Sequence, residues 1–129
     1  MSILIGNKEE MEKRYKENCE LAKEALSYTN EIITKCKEEN KALNNKLNEK
    51  PDEFHKIQIL QNRYTNHYII RNLNPVKDKL TETQYTGVTP YRLIEEINTD
   101  GRPTAVTEHM EQIASILRKM GYFPDEYFN

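Results

Sequence analysis

Few residues in this chain break a helix. Its 129 residues include only four glycines and five prolines, and seven of those nine lie after residue 74. Residues 8 to 49 contain neither. There are two cysteines, Cys19 and Cys36, 17 positions apart in one helical pattern. On a helix that is roughly 25 Å, beyond the reach of a disulfide. No apolar run approaches the ~20 residues needed to span a membrane. The opening MSILIGNKEE has an apolar patch of three residues, too short for a secretion signal. Reduced thiols in a cytoplasm follow as the expectation. Neither charge sign dominates: the net charge is -2, which favours neither a polyanionic partner nor an acidic membrane surface.

Catalytic and metal-binding patterns are missing as well. The sequence has no CxxC, no HExxH, no glycine-rich phosphate loop and no GxSxG. His55, His67 and His109 do not stand at ligand spacing with the cysteines. The acid pairs Glu9-Glu10, Glu38-Glu39 and Glu95-Glu96 read as solvated helix faces. Cys19 and Cys36 read as small buried side chains rather than nucleophiles. The expectation is a chain that is not an enzyme and needs no metal or cofactor.

What is present is helix. Charged residues make up 31% of the chain and hydrophobic ones 36%, a polar balance for one domain. It suits elongated helices or a fold completed by a partner. In residues 8–49, Tyr15, Cys19, Ala22, Leu26, Thr29, Ile33, Cys36, Leu43 and Leu47 recur three and four apart, with Asn40 in the missing place. That is a seven-residue repeat with one seam. Its small and polar members suit packing against this chain's own second helix.

Pro51 ends the pattern, and with Asp52 and Glu53 it suits the first turn of a second helix over 51–73. Phe54, Ile57, Leu60 or Gln61, Tyr64, Tyr68 or His67, and Arg71 trace its expected inner stripe. Asn74-Pro75 is the expected stop, with at most a short continuation to Leu80. TETQYTGVTP reads as loop or extended chain. Thr89-Pro90 starts a short third helix carrying Tyr91, Leu93, Ile94 and Ile97. A fourth, over 104–120, buries Val106, Met110, Ile113, Ile116 or Leu117, and Met120, with Gly121 placed to end it. The expected fold is all-α: a long antiparallel helical hairpin (about 8–49 and 51–73) with a small C-terminal helical lobe (about 90–98 and 104–120). Residues 1–80 form the arm and 81–129 the lobe, packed as one domain. The first helix, ~40 residues and roughly 60 Å, overhangs the second. The uncovered seam calls for a second copy or a target protein.

Three surfaces offer binding chemistry. In NRYTNHYIIR, Arg63, His67 and Arg71 stand four apart beside Tyr64 and Tyr68. Guanidiniums clamp phosphate or carboxylate and tyrosines stack on bases, so the cluster suits a nucleotide, a single nucleic-acid strand or an acidic protein. LIEEINTDGRPTAVTEHMEQI resembles a helix-turn-helix with Val106 as buried anchor. Arg102, Thr104, Thr107 and Gln112, with Glu108, would face DNA. Its turn is about two residues longer than the tight form. Residues 81–129 also set four basic residues against eight acidic ones, a poor footprint for phosphate. Lastly, the tail YFPDEYFN holds Tyr122, Phe123, Tyr127 and Phe128, costly to leave in water. They are expected to fold back or to dock on a partner.

These features point to a small cytoplasmic adaptor or inhibitor that works by protein–protein contact, as a homodimer or larger assembly. The Lys, Asn, Ile and Glu bias fits an AT-rich genome, such as a phage or mobile element. The alternatives are a helix-turn-helix DNA-binding regulator over 90–120 and a protein that sequesters a nucleotide or other small anion on helix 2. No membrane partner is expected.

Overall fold

The computed structural model describes residues 8–97 and 104–120. Four helices follow in order: α1 (Lys8–Asn48), α2 (Glu53–Thr86), α3 (Tyr91–Ile97) and α4 (Thr104–Leu117). The fold is all-α, a long antiparallel hairpin of α1 and α2 with α3 and α4 packed against it.

α1 runs 41 residues because nothing in it interrupts a helix. Glu9 and Glu10 sit in its first turn and Lys46 in its last, each suited to the helix dipole. Its outer face carries exposed pairs such as Glu10–Arg14 at 3.2 Å and Glu31–Lys35 at 3.4 Å. Lys50 takes a left-handed φ of 54° before Pro51 and stops the helix. The second helix then starts two residues later than the sequence suggests. Asp52 is its cap, accepting the backbone N–H of His55 at 2.9 Å, so Pro51 lies outside the helix.

The seam of α1 follows the expected repeat from Thr29 onward. Thr29, Ile33, Cys36, Asn40 and Leu43 are buried. Nearer the start, Asn18, Ala22 and Ala25 are the buried set, while Tyr15, Cys19 and Leu26 are half-buried. The repeat shifts there because this stretch also faces α4 and the end of α2.

α2 differs most from expectation. It passes through Pro75 and the 80/81 boundary and ends at Thr86. A proline within a helix costs one backbone hydrogen bond and a steric clash, about 3 kcal/mol. Beyond it, Val76 and fully buried Leu80 pack into the core. Burying such side chains contributes about 2 kcal/mol each, enough to carry the helix onward. The threonine-rich stretch joins the helix as Leu80 and Thr83 are buried, and its hydroxyls are satisfied by bonding back to the helix. Thr81 Oγ1 donates to the Lys77 carbonyl at 2.8 Å, and Thr83 Oγ1 to that of Lys79 at 2.9 Å.

Gly87 ends α2 with φ +67°. A Cβ there would stand 2.7 Å from the Tyr15 carbonyl oxygen. Completely buried Asn18 ties this corner to α1, donating to the Gly87 carbonyl at 3.0 Å and the Thr89 hydroxyl at 3.4 Å. At 34 residues, α2 covers α1 from the turn to about Tyr15, and α4 packs on α1 beside it, at Tyr28. The expected large overhang is therefore largely filled from within the chain.

The main core joins Ala22–Cys36 of α1 and Ile69–Leu80 of α2 to Leu93, Ile97, Val106, Met110, Ile113, Ala114, Leu117 and Met120. The expected stripe of α4 is buried, with Leu117 innermost and Ile116 at its edge. Leu43 and Ile59, nearer the hairpin turn, are buried outside that core. The turn end is thus a two-helix arm.

Candidate partner-binding face

α2 carries two apolar stripes, and the one expected to pack against α1 is the outer one. Phe54 is 66% exposed, Ile57 52%, Leu60 42% and Tyr64 69%. The seam instead uses Ile59, Asn66, Ile69, Leu73, Val76, Leu80 and Thr83. Both sets have helical spacing, so spacing alone does not choose between them. The partner does: the Asn66 side-chain amide donates to the Asn40 side-chain oxygen at 3.0 Å inside the seam. The same face carries Ile69, Leu73, Val76 and Leu80 into the main core, and with the asparagine match it turns the larger side chains of the arm outward.

At 100° per residue, Phe54, Ile57, Leu60, Gln61, Tyr64 and Tyr68 lie within about 60° of one line along α2. That line runs opposite Asn66 and Leu73. Tyr64 and half-buried Tyr68 lie side by side, ring centroids 6.4 Å apart and planes 28° apart. Phe54 meets His55 edge-on at 5.7 Å. A shallow groove follows Ile57, Leu60, Gln61, Asn62, Tyr64 and Thr65. Exposed Glu53 stands on the same line at one end of the stripe and exposed Arg71 at the other. Neither has an ion-pair partner among the described residues.

The basic-aromatic cluster is only partly assembled. Tyr64, His67 and Arg71 are exposed, whereas Arg63 is half-buried. The Arg63 Nε is buried without a hydrogen-bond partner among the described residues. Each step of four rotates the position by about 40°, so the three basic residues spiral away from one another. They do not close on a shared anion. Arg71 instead borders a different feature, a 410 Å³ cleft between α2 and α3. Pro75, Val76, Leu93, Ile97 and Met110 form its apolar walls, with Lys79, Arg92 and Glu96 also lining it. The sequence spacing held no sign of this cleft, because it joins residues across more than one helix.

The helix-turn-helix segment is described only in part. Its turn, with Arg102, lies outside the described residues, as do the aromatic tail residues Tyr122, Phe123, Tyr127 and Phe128. Thr104 begins α4. Thr107 is half-buried and Gln112 is exposed.

The titratable groups around α4 serve packing. The Tyr28 hydroxyl lies 3.1 Å from His109 Nδ1 and links α1 to α4. Burial holds the His109 pKa below its ordinary value, against an upward pull from Glu108. Burial, then Glu108 and Glu31, raises that of Tyr28. Burial and the nearby Glu39 push the Cys36 thiol up, the reverse of what a nucleophile needs. No group of three His, Cys, Asp or Glu side chains among the described residues is placed to hold a metal ion. No helix among them is long and apolar enough to cross a membrane. No protein-family model, curated protein or solved structure matches the chain.

Proposed function

We propose that this chain is a non-enzymatic binding protein, a small cytoplasmic adaptor or inhibitor that acts through protein–protein contact. The observation that supports it is the outer stripe of α2. Four large apolar side chains stand exposed on one face of a two-helix arm, away from the main core. Scattered exposed apolar residues are ordinary, but an aligned stripe is a feature of interaction surfaces. Tyrosine at its centre suits such a face, since the ring supplies area with little entropy to lose. The test is capture of protein partners by the full chain and by its Ile57→Glu and Tyr64→Glu variants. Both sites are exposed, so the helical circular dichroism should hold while binding falls. Undiminished capture by both variants would remove this face from the function.

A second reading has one observation in its favour. The α2–α3 cleft combines apolar walls with Arg71, Lys79 and Arg92. That chemistry suits a small anion with an apolar body, such as a nucleotide. A ligand-dependent rise in melting temperature, lost in Arg71→Ala with Arg92→Ala, would support it. DNA reading by residues 90–120 gains no comparable support, given the acidic surroundings.

A further inference from the structure

We infer that the occupant of the outer α2 stripe is a second copy of this chain, packed antiparallel through the same stripe. This rests on the reading of that face as a protein-binding surface and names its partner. The first argument is charge. The stripe begins at Glu53 and ends at Arg71, 18 residues or about 27 Å along the helix. A two-fold axis at the level of Asn62 sets Glu53 against Arg71 of the partner subunit, and the converse pair forms by symmetry. The same axis sets Leu60 against Tyr64 of the partner subunit. A parallel arrangement would bring like charges together at both ends. Antiparallel self-pairing therefore satisfies two side chains that have no ion-pair partner within the described chain.

Area is the second argument. Phe54, Ile57, Leu60 and Tyr64 are 66%, 52%, 42% and 69% exposed. At roughly 200 Å² per large side chain, the four present about 450 Å² in each copy. With the polar flank of Gln61, Thr65 and Arg71, two copies reach the ~1,000 Å² that a specific interface requires. The interface would turn each two-helix arm into half of a four-helix bundle. Apolar area drives the contact, and the end charges choose its direction.

The experiment is sedimentation equilibrium on the full chain from about 1 to 200 μM, a range that brackets micromolar dimers. The expected result is a monomer–dimer equilibrium. Ile57→Glu with Tyr64→Glu should leave a monomer whose helical circular dichroism is unchanged. Glu53→Arg alone and Arg71→Glu alone should each weaken the dimer roughly tenfold at low salt, since each breaks both symmetric pairs. The double variant, Glu53→Arg with Arg71→Glu, should recover the wild-type constant. Only an antiparallel contact predicts that recovery. A monomer at every concentration overturns the inference, as does a dimer indifferent to the stripe variants. Weakening without recovery overturns the antiparallel geometry. If the chain stays monomeric while Ile57→Glu abolishes capture of a different protein, self-pairing is overturned and the protein-binding reading stands. If Ile57→Glu changes neither, both are overturned.

Discussion

Asn66 donates its side-chain amide to the side-chain oxygen of Asn40 at 3.0 Å, inside the seam and flanked by the apolar Leu43, Ile59 and Ile69. The pair contributes more to specificity than to stability. The Asn40 Nδ2 has no hydrogen-bond partner among the described residues, so the exchange within the pair is incomplete. A polar pair at a seam position rewards one register, because any slip leaves both amides buried and unmatched.

Replacing one member should cost more than replacing both. Asn66→Leu leaves the Asn40 side chain without its donor and should destabilise by about 1–3 kcal/mol. Asn40→Leu with Asn66→Leu should recover most of that loss. Urea denaturation of the three variants closes the double-mutant cycle. If the double variant loses the sum of the singles, the two asparagines are not coupled.

The burial of Tyr28 and His109 predicts how stability changes with pH. The folded state holds His109 below its ordinary pKa, so between the folded value and about 6.5 the unfolded chain binds more protons. Stability should fall as pH drops through that window. Tyr28 works at the other end. Its pKa is raised on folding, so the folded state keeps the phenol proton longer. Its contribution is full below about pH 10 and is lost as pH rises through the folded value. Thermal melts from pH 4 to 11 should show a plateau that falls on both sides. In His109→Gln the loss that begins below about pH 6.5 should shrink, and an unchanged profile would rule out His109 as its source.

Gly87 should tolerate no other residue. Its φ of +67° alone costs an L residue about 1–2 kcal/mol. The 2.7 Å approach to the Tyr15 carbonyl adds an overlap with backbone that cannot rotate away. Gly87→Ala should therefore destabilise by roughly 2–4 kcal/mol. Gly87→Asn, which tolerates the dihedral better, should fare little better because the overlap remains. A melting temperature within a degree or two of wild type would contradict this packing.

Pro75 is the opposite case. It is exposed inside α2 and donates no backbone hydrogen bond. Pro75→Ala should raise stability by about 1–3 kcal/mol, read from chemical denaturation. A loss instead would mean that the local backbone geometry at Pro75 is needed to seat Leu80 and Val76 in the core.

Element type was legible because it is local. The breaker-free run 8–49, the break at Pro51 and the Val106–Met110–Ile113 stripe each lie within one stretch of chain. The rotation and length of α2 were not. The outer residues Phe54, Ile57, Leu60 and Tyr64 are as well spaced and as apolar as the inner ones, and larger. What favours the inner face lies far along the chain: Asn40, 26 residues before Asn66, and the core residues of α1, α3 and α4 that meet Ile69, Leu73, Val76 and Leu80. The passage through Pro75 has a similar cause. Local chemistry at Asn74-Pro75 says stop, and the burial of Val76 and Leu80 against distant helices overrides it. The basic spacing of Arg63, His67 and Arg71 was visible. The half-burial of Arg63 that spoils the clamp depends on tertiary packing and was not.

The uneven distribution of buried layers also gives the molecule a direction of opening. Between the turn and the main core, the apolar layers of the arm rest on Leu43 and Ile59, with the Asn40–Asn66 layer beside them. At the other end, three or four helices interlock around Leu73, Leu80, Ile113 and Leu117. Amides near the turn should therefore exchange with deuterium through local fraying, while those around Leu73 and Leu80 wait for global unfolding. The hairpin would unzip from its connected end, with its free ends held together by the lobe.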